Sequence, residues 1–477
     1  MESIPPDEVL QLSREEMRAL GYRVIDIVVE HFENLRNKPA TRSAGRSTLE
    51  GRLREPLPER GSDVEVVLTQ LQQDVFNNIM YLSHPRFFGG IPSPSNFISA
   101  MADVLASGFN VFTGIWIGGS GAVEVELVTI DWLRQLCGLP DTTGGLFVSG
   151  GSVANLIALA TARHVKLKDQ IKEGVAYCSD QTHSSVERAL HVLGFAPTQI
   201  RKLPSDEQFR LALTDLRREM AADRAAGKIP FCVIANAGTT HTGAVDPLSE
   251  LADFCGEEGL WLHADGAYGA AAVLCHKGSS LLEGLERVDS LAIDPHKWLF
   301  QPFEIGCVLV RDGHQLKEAF NIHLEYLNVA DRADEVNLCD YGIQLTRSFR
   351  ALKLWMSFKV FGIEAFRKAV AKGIALAELA ENLLRESSCW EIVTPAEMGI
   401  LTFRYVPVGC PSTEVDAVNH RIEDNMIATG FAMVGSRVLK GRTALRMCTI
   451  NPHTTEADIR ETIQRLEHLG NELSLYS

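Results

Sequence analysis

Four groups that could do chemistry lie beside short apolar runs: Lys297 in DPHKW, Asp265 in LHADG, His183 in SDQTH and the helix start SGGS ending at Ser152. Alone, each group has an ordinary explanation: Lys297 could be a solvated lysine, and Asp265 a helix cap. His183 could be a surface histidine, and the SGGS stretch a tight turn. Together they offer an amine nucleophile, a carboxylate, a flat imidazole and a cradle of backbone N–H groups that favours phosphate. Such a set suits a small ligand with several different functional groups.

Two other kinds of site are disfavoured by spacing. The glycines Gly150 and Gly151 precede Ser152, but neither GxGxxG nor GxxxxGK[ST] is present, which argues against a dinucleotide or a P-loop nucleotide. A metal would recruit His263 with Asp265, yet no third ligand follows at a recognisable spacing. A carboxylate at the end of a buried strand needs a partner, and we rank a cation or hydrogen-bond donor above a metal.

The elements that position these groups alternate between strand and helix. The apolar runs GLFVSGG, GVAYCSD, FCVIANAG and LWLHAD are each followed by a helical pattern or a polar turn. Successive βαβ units predict a mostly parallel sheet with helices on both faces, and therefore an α/β fold. Active sites of such sheets lie beyond the carboxyl ends of the strands, where the polar groups above are found.

Three regions are predicted. Residues 1–85 form a helical arm whose first helix has a capping box, Ser13 with Glu16, and whose apolar stripe needs a cover from the main domain or a second copy of the chain. Residues 86–375 form the large domain, and residues 376–477 a smaller α/β domain. The stretch from Asn321 to Asp340 has no clear periodicity, which predicts a mobile surface loop.

Composition and net charge limit the functions that this sequence can have. The 477 residues carry a net charge of −15 and no dense basic block, so nucleic acid is not an expected partner. The chain shows neither a secretory signal nor a long apolar run, which predicts a cytoplasmic protein without a membrane partner. Ten cysteines without a CxxC pair indicate reduced, packed thiols.

The four groups together match the needs of pyridoxal 5′-phosphate. This cofactor has a phosphate to anchor, a ring face to stack on, a pyridine nitrogen that a carboxylate keeps protonated, and an aldehyde that forms a Schiff base with lysine. Asp265 would sustain the electron sink that carbanion chemistry requires.

The motifs SDQTHSSVERA, NAGTT, LHADGAYG and DPHKW, in this order, resemble those of the group II pyridoxal-phosphate decarboxylases, and most of all the aromatic-L-amino-acid decarboxylases. The similarity extends from the N-terminal helices through HPRFFGGIPSPSN to RSFRALKLW. It implies the type I fold of pyridoxal-phosphate enzymes, a homodimer and decarboxylation of an amino acid. The cofactor-binding residues that it implies are Gly151, Ser152, His183, Thr240, Asp246, Asp265, Ala267, Asp294, His296 and Lys297.

The resemblance also assigns roles in catalysis and substrate choice. Lys297 would bind the cofactor aldehyde, Asp265 would bind its ring nitrogen, and His183 would stack on its ring face. Tyr326 aligns with the family's loop tyrosine, which donates a proton to the reacting carbon. Asp294 departs from the asparagine of animal relatives. The residues expected to line the substrate pocket are Gly90, Ile91, Pro92, Phe112, Ile115, Trp116 and Thr346. Small residues beside apolar walls favour a large aromatic substrate such as tryptophan, with phenylalanine, tyrosine or DOPA as competitors.

Three alternatives remain. A decarboxylase of glutamate or cysteine sulfinate would need a cation for the second acid, and Arg86 is the candidate. An aldehyde synthase, which the resemblance associates with phenylalanine at the loop position, is disfavoured by Tyr326. A scaffold without activity would have no reason to keep Lys297, Asp265 and His183 together.

Overall fold

The computed structural model describes residues 10–168, 170–321, 335–406 and 411–474. The N-terminal region contains three helices, α1 (Arg14–Asn34), α2 (Arg46–Leu53) and α3 (Val64–Gln70), the last continued by a π-helical segment, Leu71–Phe76. Two more helices follow, α4 (Phe97–Gly108) and α5 (Trp116–Leu136). Within the described ranges, no helix is long and apolar enough to cross a bilayer.

The next part of the chain alternates strands with helices. The strands are β1 (Gly144–Val148), β2 (Gly174–Ser179), β3 (Ile200–Leu203), β4 (Ile229–Asn236), β5 (Trp261–Asp265), β6 (Ser290–Ile293) and β7 (Gly306–Val310). The helices are α6 (Gly151–Leu167), α7 (Ser184–Val192), α8 (Leu213–Ala225), α9 (Leu248–Glu258), α10 (His276–Leu281) and α11 (Gly313–Phe320). This alternation agrees with the βαβ units expected from the sequence.

The seven strands form one sheet in the order β1-β7-β6-β5-β4-β2-β3. Strands β3, β2, β4, β5 and β6 pair in parallel, and β7 runs antiparallel to both of its neighbours. Apolar side chains cover both faces of the sheet, as a parallel sheet between helices requires. The predicted α/β fold with a mostly parallel central sheet is therefore confirmed.

The C-terminal part has its own sheet. Helices α12 (Ala351–Phe361) and α13 (Ile363–Arg385) lead to strands β8 (Trp390–Glu397), β9 (Ile400–Tyr405), β10 (Gly435–Leu439) and β11 (Arg442–Cys448), which are antiparallel in the order β10-β11-β9-β8. Helices α14 (Ser412–Thr429) and α15 (Glu456–Ser474) accompany this sheet. The small C-terminal domain expected from the sequence is present.

Helix α13 connects the two parts. Its residues up to Ile374 pack in the core of the large sheet, and those from Leu376 onward pack in the core of the small sheet. The predicted boundary between residues 375 and 376 thus falls within a continuous helix, at the point where the helix changes core. At the other predicted boundary, Phe88 belongs to the core of the small sheet and its N–H donates to Met433 O. The segment near residue 86 therefore packs against the C-terminal part.

The start of helix α1 has the predicted capping box, with both the Glu16 N–H to Ser13 Oγ and the Ser13 N–H to Glu16 Oε2 hydrogen bonds present. No residue of this helix is buried, and Met17 and Val24 of its apolar stripe have 56% and 37% of their surface exposed. The stripe is covered only in part within this chain, where Phe32 makes an edge contact with Phe97 of α4 at 6.0 Å between the ring centres.

The prediction of a mobile loop from Asn321 to Asp340 is wrong at its C-terminal end. Residues 338–341 form a 3-10 turn in which Leu338 and Cys339 are buried, because Leu338 packs into the apolar core on one side of the sheet. Tyr326 and the rest of 322–334 lie outside the described residues.

Candidate active site

A cavity of about 410 Å³ opens at the carboxyl ends of the central strands. The pairing of strand β5 with its two neighbours explains why polar groups meet there. Asn236 at the end of β4 pairs with Asp265 at the end of β5, and Asp265 pairs with Ala292 of β6, two residues before Asp294. Since parallel strands end at one edge of a sheet, the motifs that follow them share one crevice.

The structure brings nine of the ten predicted cofactor-binding residues into the lining of this cavity. They are Gly151, Ser152, His183, Thr240, Asp265, Ala267, Asp294, His296 and Lys297.

The turn from β1 into α6 forms a glycine-lined wall. A Cβ atom on Gly151 would lie 2.9 Å from both Ala267 Cβ and Asp294 Oδ2, and one on Gly150 would lie 3.1 Å from His296 Cε1. Side chains at these two positions would therefore occupy the space between the helix start and the DPHKW segment. The first N–H groups of a helix have no partner within the helix, and their dipole favours an anion. The 17-residue helix α6 thus presents a site suited to a phosphate.

Lys297 lies at the opposite wall and is held by Asp294. Its Nζ is 2.9 Å from Asp294 Oδ2, and its side chain is 26% exposed whereas that of Asp294 is 2% exposed. Burial disfavours the charged amine, but the attraction and hydrogen bond of Asp294, with the more distant Asp265, hold the pKa of Lys297 above its usual value. The carboxylate at position 294 therefore pairs with the lysine and keeps it protonated in the free protein.

His296 completes this wall. Its Nδ1 accepts a hydrogen bond from the Ile305 N–H at 3.3 Å, so the neutral ring carries its proton on Nε2, which lies 3.6 Å from Asp294 Oδ2. Burial and the neighbouring Lys297 charge lower the pKa of His296, although Asp294 opposes them. A neutral imidazole next to an ammonium and its carboxylate is a group through which a proton leaving Lys297 can move.

Asp265 and His183 face the cavity from the two neighbouring strand ends. Asp265 is 8% exposed, and its oxygens accept from the Ala267 N–H at 3.2 Å and from Asn155 Nδ2 at 3.0 Å. His183 caps helix α7, because its Nδ1 accepts from the Ser185 N–H at 3.3 Å. Both residues therefore have fixed orientations before any ligand binds.

These groups fit pyridoxal 5′-phosphate. The glycine-lined start of α6 suits the phosphate, the 8%-exposed Asp265 carboxylate suits a protonated ring nitrogen, and the Lys297 amine suits an aldehyde. His263 does not fit a metal, because its two ring nitrogens are occupied by Ser290 Oγ at 2.9 Å and Asn155 Oδ1 at 3.0 Å. Among the described residues no group of three potential metal ligands occurs.

Asp246, the tenth predicted residue, is placed differently from the expectation. It lies behind the cavity wall, where its carboxylate accepts from the Asn236 N–H at 2.6 Å, Asn236 Nδ2 at 2.9 Å and the Leu211 N–H at 2.7 Å. Burial raises the pKa of Asp246 to about 6. In this structure Asp246 positions Asn236, and Asn236 is the residue that lines the cavity.

The predicted substrate-pocket residues do not line this cavity. Phe112 packs over Gly114 and Gly118, where added Cβ atoms would meet its ring, and Thr346 lies exposed just before Arg347, whose carbonyl binds the Thr113 N–H at 3.2 Å. Ile115 caps helix α5, and the Trp116 N–H donates to Asn337 Oδ1 at 2.9 Å. These residues form a separate wall, because the segment 111–116 is bound to the segment 345–348 rather than to the strand ends.

The other three, Gly90, Ile91 and Pro92, lie where the N-terminal part meets strand β11. The Gly90 carbonyl accepts a hydrogen bond from Arg446 Nη1, and Arg446, 1% exposed, also donates through Nε to His241 O at 3.1 Å. Arg446 Nη2 is buried without a hydrogen-bond partner among the described residues. A buried arginine therefore holds the backbone of the predicted substrate wall.

Arg86 does not face the cavity. Its Nη1 lies 3.3 Å from Asp458 Oδ1, its Nε donates to Phe431 O at 2.8 Å, and its guanidinium stacks 4.4 Å from the centre of the Phe431 ring. The cation that an acidic substrate would need is thus already committed to Asp458.

Sequence reasoning missed several lining residues, including Asn155, Asn236 and Tyr268. Asn236 and Tyr268 belong to the quoted motifs NAGTT and LHADGAYG. The signal for Asn155 was its helical spacing, because it follows Gly151 by four residues and is a polar residue within the apolar run VANLIALA.

Comparison with known proteins agrees with this site. Residues 48–406 match the family model described as the pyridoxal-dependent decarboxylase conserved domain. The chain is 48% identical over 471 residues to an aromatic-L-amino-acid decarboxylase of Bacillus atrophaeus, which covers 98% of both proteins. This chain belongs to the pyridoxal-dependent decarboxylase family.

Solved structures give the same result. The structure of Oryza sativa TDC with PLP and tryptamine matches with a TM-score of 0.93 at 28% identity, covering 98% of this chain and all of that one. The structure of Catharanthus roseus tryptophan decarboxylase in complex with L-tryptophan matches with a TM-score of 0.91 at 28% identity, covering 97% of this chain and all of that one. Pyridoxal 5′-phosphate is accordingly the cofactor of this enzyme.

Proposed function

We propose that this enzyme decarboxylates an aromatic L-amino acid to the corresponding amine and CO2, with tryptophan preferred over phenylalanine, tyrosine and DOPA. The observation that carries the proposal is the meeting of Lys297, Asp265, His183 and the glycine-lined start of α6 in one cavity. The substrate class is supported by the bacterial relative and by the two plant structures that hold tryptamine or tryptophan. Arg86 is paired with Asp458 and does not line the cavity, which weighs against a substrate with a second carboxylate.

When bound, the cofactor supplies a protonated ring that accepts the electron pair left by departing CO2. The residues of the chain orient and protect this chemistry. Asp265 would hold the ring nitrogen, His183 would cover one face of the ring, and the N–H groups at the start of α6 would bind the phosphate.

Lys297 must lose a proton before its amine attacks an aldehyde, and Asp294 and His296 are the neighbouring groups that can take part in that transfer. Thr240 and Ala267 line the cavity with these groups, and Ser152 follows Gly151 at the helix start. Tyr326 would return a proton to the reacting carbon, a role that rests on the resemblance in sequence alone.

We also propose that the working form is a homodimer. Large apolar side chains are exposed on α1 and around the junction of α4 with α5, including Met17, Tyr22, Leu105, Phe109 and Ile117. Exposed apolar faces of this extent are typical of subunit interfaces. Phe112, Ile115 and Trp116 directly precede the exposed Ile117, so we place them at or near the interface of the proposed dimer. Light scattering should give twice the chain mass; the mass of one chain would contradict the dimer.

A cytoplasmic location completes the proposal. The nine described cysteines are all free, and most are buried, as in proteins of a reducing compartment. The net charge of −15 supports small amino acids rather than nucleic acid as the partner.

The experiment is a substrate panel. Purified protein loaded with pyridoxal 5′-phosphate is incubated in air with tryptophan, phenylalanine, tyrosine, DOPA, glutamate and cysteine sulfinate separately, and amine and aldehyde are quantified by mass spectrometry. We expect tryptamine as the fastest-formed product, other aromatic amines at lower rates, and no amine from the acidic substrates. The Lys297→Ala variant is the control for turnover that depends on the cofactor lysine.

Other outcomes of the panel would overturn defined parts of the proposal. Amine from the acidic substrates alone would replace the substrate class. Aldehyde with consumption of oxygen and release of ammonia would make the enzyme an aldehyde synthase. Absence of product from every substrate, with no bound cofactor, would favour a protein that keeps the fold without the activity.

A further inference from the structure

A chain of hydrogen bonds runs from the protein core to the wall of the cavity and joins strands β5 and β6 to helices α6 and α7. Its members are Trp261, Ser290, His263, Asn155, Ser185, Asp265 and His183, and Asn155 and His263 are fully buried. The predicted cofactor contacts Asp265 and His183 are the two ends at the cavity. Asn155 is the member that reaches both.

The direction of each hydrogen bond follows from the chemistry of the groups. An ionised carboxylate only accepts, so the atom of Asn155 that lies 3.0 Å from Asp265 Oδ2 must be the amide nitrogen. The amide oxygen of Asn155 then faces His263 Nε2 at 3.0 Å, and that ring nitrogen must carry a proton. Burial lowers the pKa of His263 to about 4, so the ring is neutral and its Nδ1 is an acceptor.

The hydrogen bonds of Trp261 and Ser290, at the other end of this series, are consistent with this assignment. Trp261 Nε1 is only a donor and gives its proton to Ser290 Oγ at 2.8 Å. Ser290 Oγ lies 2.9 Å from His263 Nδ1 and donates its own proton there. Every polar hydrogen from the indole to the amide of Asn155 thus points one way, which prevents the amide from turning over.

The second amide hydrogen of Asn155 acts on His183. Asn155 Nδ2 lies 3.0 Å from Ser185 Oγ, so the serine oxygen accepts and its hydroxyl hydrogen is free to donate to His183 Nδ1 at 2.8 Å. With Nδ1 as an acceptor, His183 carries its ring proton on Nε2. One amide therefore bonds the Asp265 carboxylate directly and reaches His183 through the Ser185 hydroxyl, while the Ser185 N–H also donates to His183 Nδ1.

We propose that Asn155 is a positioning residue of the cofactor site, which holds Asp265 and His183 in their working orientations through its two amide hydrogens, and that His263 holds Asn155. This inference rests on the proposed function, because its object is the contact between Asp265 and the ring nitrogen of pyridoxal 5′-phosphate. Removing the amide leaves the Ala267 N–H as the remaining donor to Asp265 in the described site.

The test compares two probes on the cofactor-free protein: pyridoxal 5′-phosphate, and its 1-deaza analogue in which carbon replaces the ring nitrogen. Dissociation constants are measured by quenching of tryptophan fluorescence. For Asn155→Ala we expect an affinity for pyridoxal 5′-phosphate about 10-fold weaker, the size of effect typical when a buried charged group loses a donor. The affinity for the deaza analogue should fall much less, because that analogue makes no hydrogen bond to Asp265 and senses only the altered support of His183.

His263→Phe provides the second variant, since it keeps a flat ring and removes the proton that holds the amide. His263→Phe alone should weaken the binding of pyridoxal 5′-phosphate. Added to Asn155→Ala, it should weaken binding no further, as expected of residues that act in series. Should Asn155→Ala not fold, His263→Phe alone gives the same comparison of the two probes.

Asn419→Ala is the matched control. Asn419 is also a fully buried asparagine with both ends bonded, to the Tyr405 N–H at 2.8 Å and to the Tyr405 and Val415 carbonyls, but it lies in the small domain. Its loss should lower stability and leave both dissociation constants unchanged. Equal loss of affinity for the two probes in Asn155→Ala, or no loss for either, would overturn the inference. Failure of the unchanged protein to bind pyridoxal 5′-phosphate would overturn the proposed function together with it.

Discussion

The ion pair between Glu126 and Arg347 gives a prediction whose size follows from burial. The two side chains are 0% and 1% exposed, and Arg347 Nη2 lies 2.5 Å from Glu126 Oε1. The same Glu126 oxygen accepts from the Phe147 N–H at 3.0 Å, and Arg347 Nη2 also donates to Phe147 O at 2.8 Å. The pair therefore ties helix α5 and the segment near Thr346 to strand β1, which leads into the glycine-lined turn at the start of α6.

Arg347→Met should lower the free energy of unfolding by about 3–5 kcal/mol, because it leaves the Glu126 carboxylate buried without a cation. The double variant with Glu126→Leu removes both charges and leaves the Phe147 N–H without this acceptor, for which we expect a smaller loss of about 1–3 kcal/mol. Adding the second substitution should thus recover stability.

Urea unfolding followed by tryptophan fluorescence, at one fixed protein concentration, measures these differences. Arg46→Met is the control, since Arg46 forms an ion pair with Glu50 on the surface of α2, where its side chain is 88% exposed. That change should cost about 0.5 kcal/mol or less. A loss below about 1 kcal/mol for Arg347→Met, or a double variant less stable than the single one, would refute the reasoning that burial makes this pair indispensable.

Three further predictions concern the site. Gly151→Ala should weaken cofactor binding severalfold in a fluorescence titration, since its Cβ would lie 2.9 Å from both Ala267 Cβ and Asp294 Oδ2, whereas Gly121→Ala, with no atom within 4 Å, should have no effect. The pKa of Asp246, raised by burial from 3.8 to about 6, implies that its contribution to stability is lost as the pH rises from about 4 to about 6, so Asp246→Asn should remove that slope from unfolding free energies measured across this range. Tyr326→Phe should lose amine and gain aldehyde in product analysis; unchanged amine output would exclude this tyrosine from the mechanism.

The strand ends were predictable because apolar runs followed by polar residues fix both the parallel sheet and the edge at which His183, Asp265 and Lys297 meet. The sequence did not show which residues near that edge line the cavity and which lie behind its wall. Asp246 and Asn236 are close in sequence and hydrogen-bonded to each other, yet only Asn236 lines the cavity, since the turn between them folds Asp246 behind the strand.

The substrate wall shows a second limit. Phe112, Ile115 and Thr346 have the apolar or small character that suits a substrate pocket, but within one chain none of them lines the cavity. Sequence patterns report which side chains prefer burial, and an interface between copies and a pocket within one copy satisfy that preference equally. Asn155 was missed for a related reason, because a single polar residue in an apolar helix does not reveal its partners on other strands.

The measurement that tests the account most directly is the position of the cofactor on the chain. The protein is loaded with pyridoxal 5′-phosphate, reduced with borohydride to make the attachment permanent, digested and mapped by mass spectrometry. The account predicts one pyridoxyl group on the peptide that contains Lys297, and no label on that peptide in Lys297→Ala. A label confined to any other lysine, or visible absorbance and turnover retained by Lys297→Ala, would contradict it.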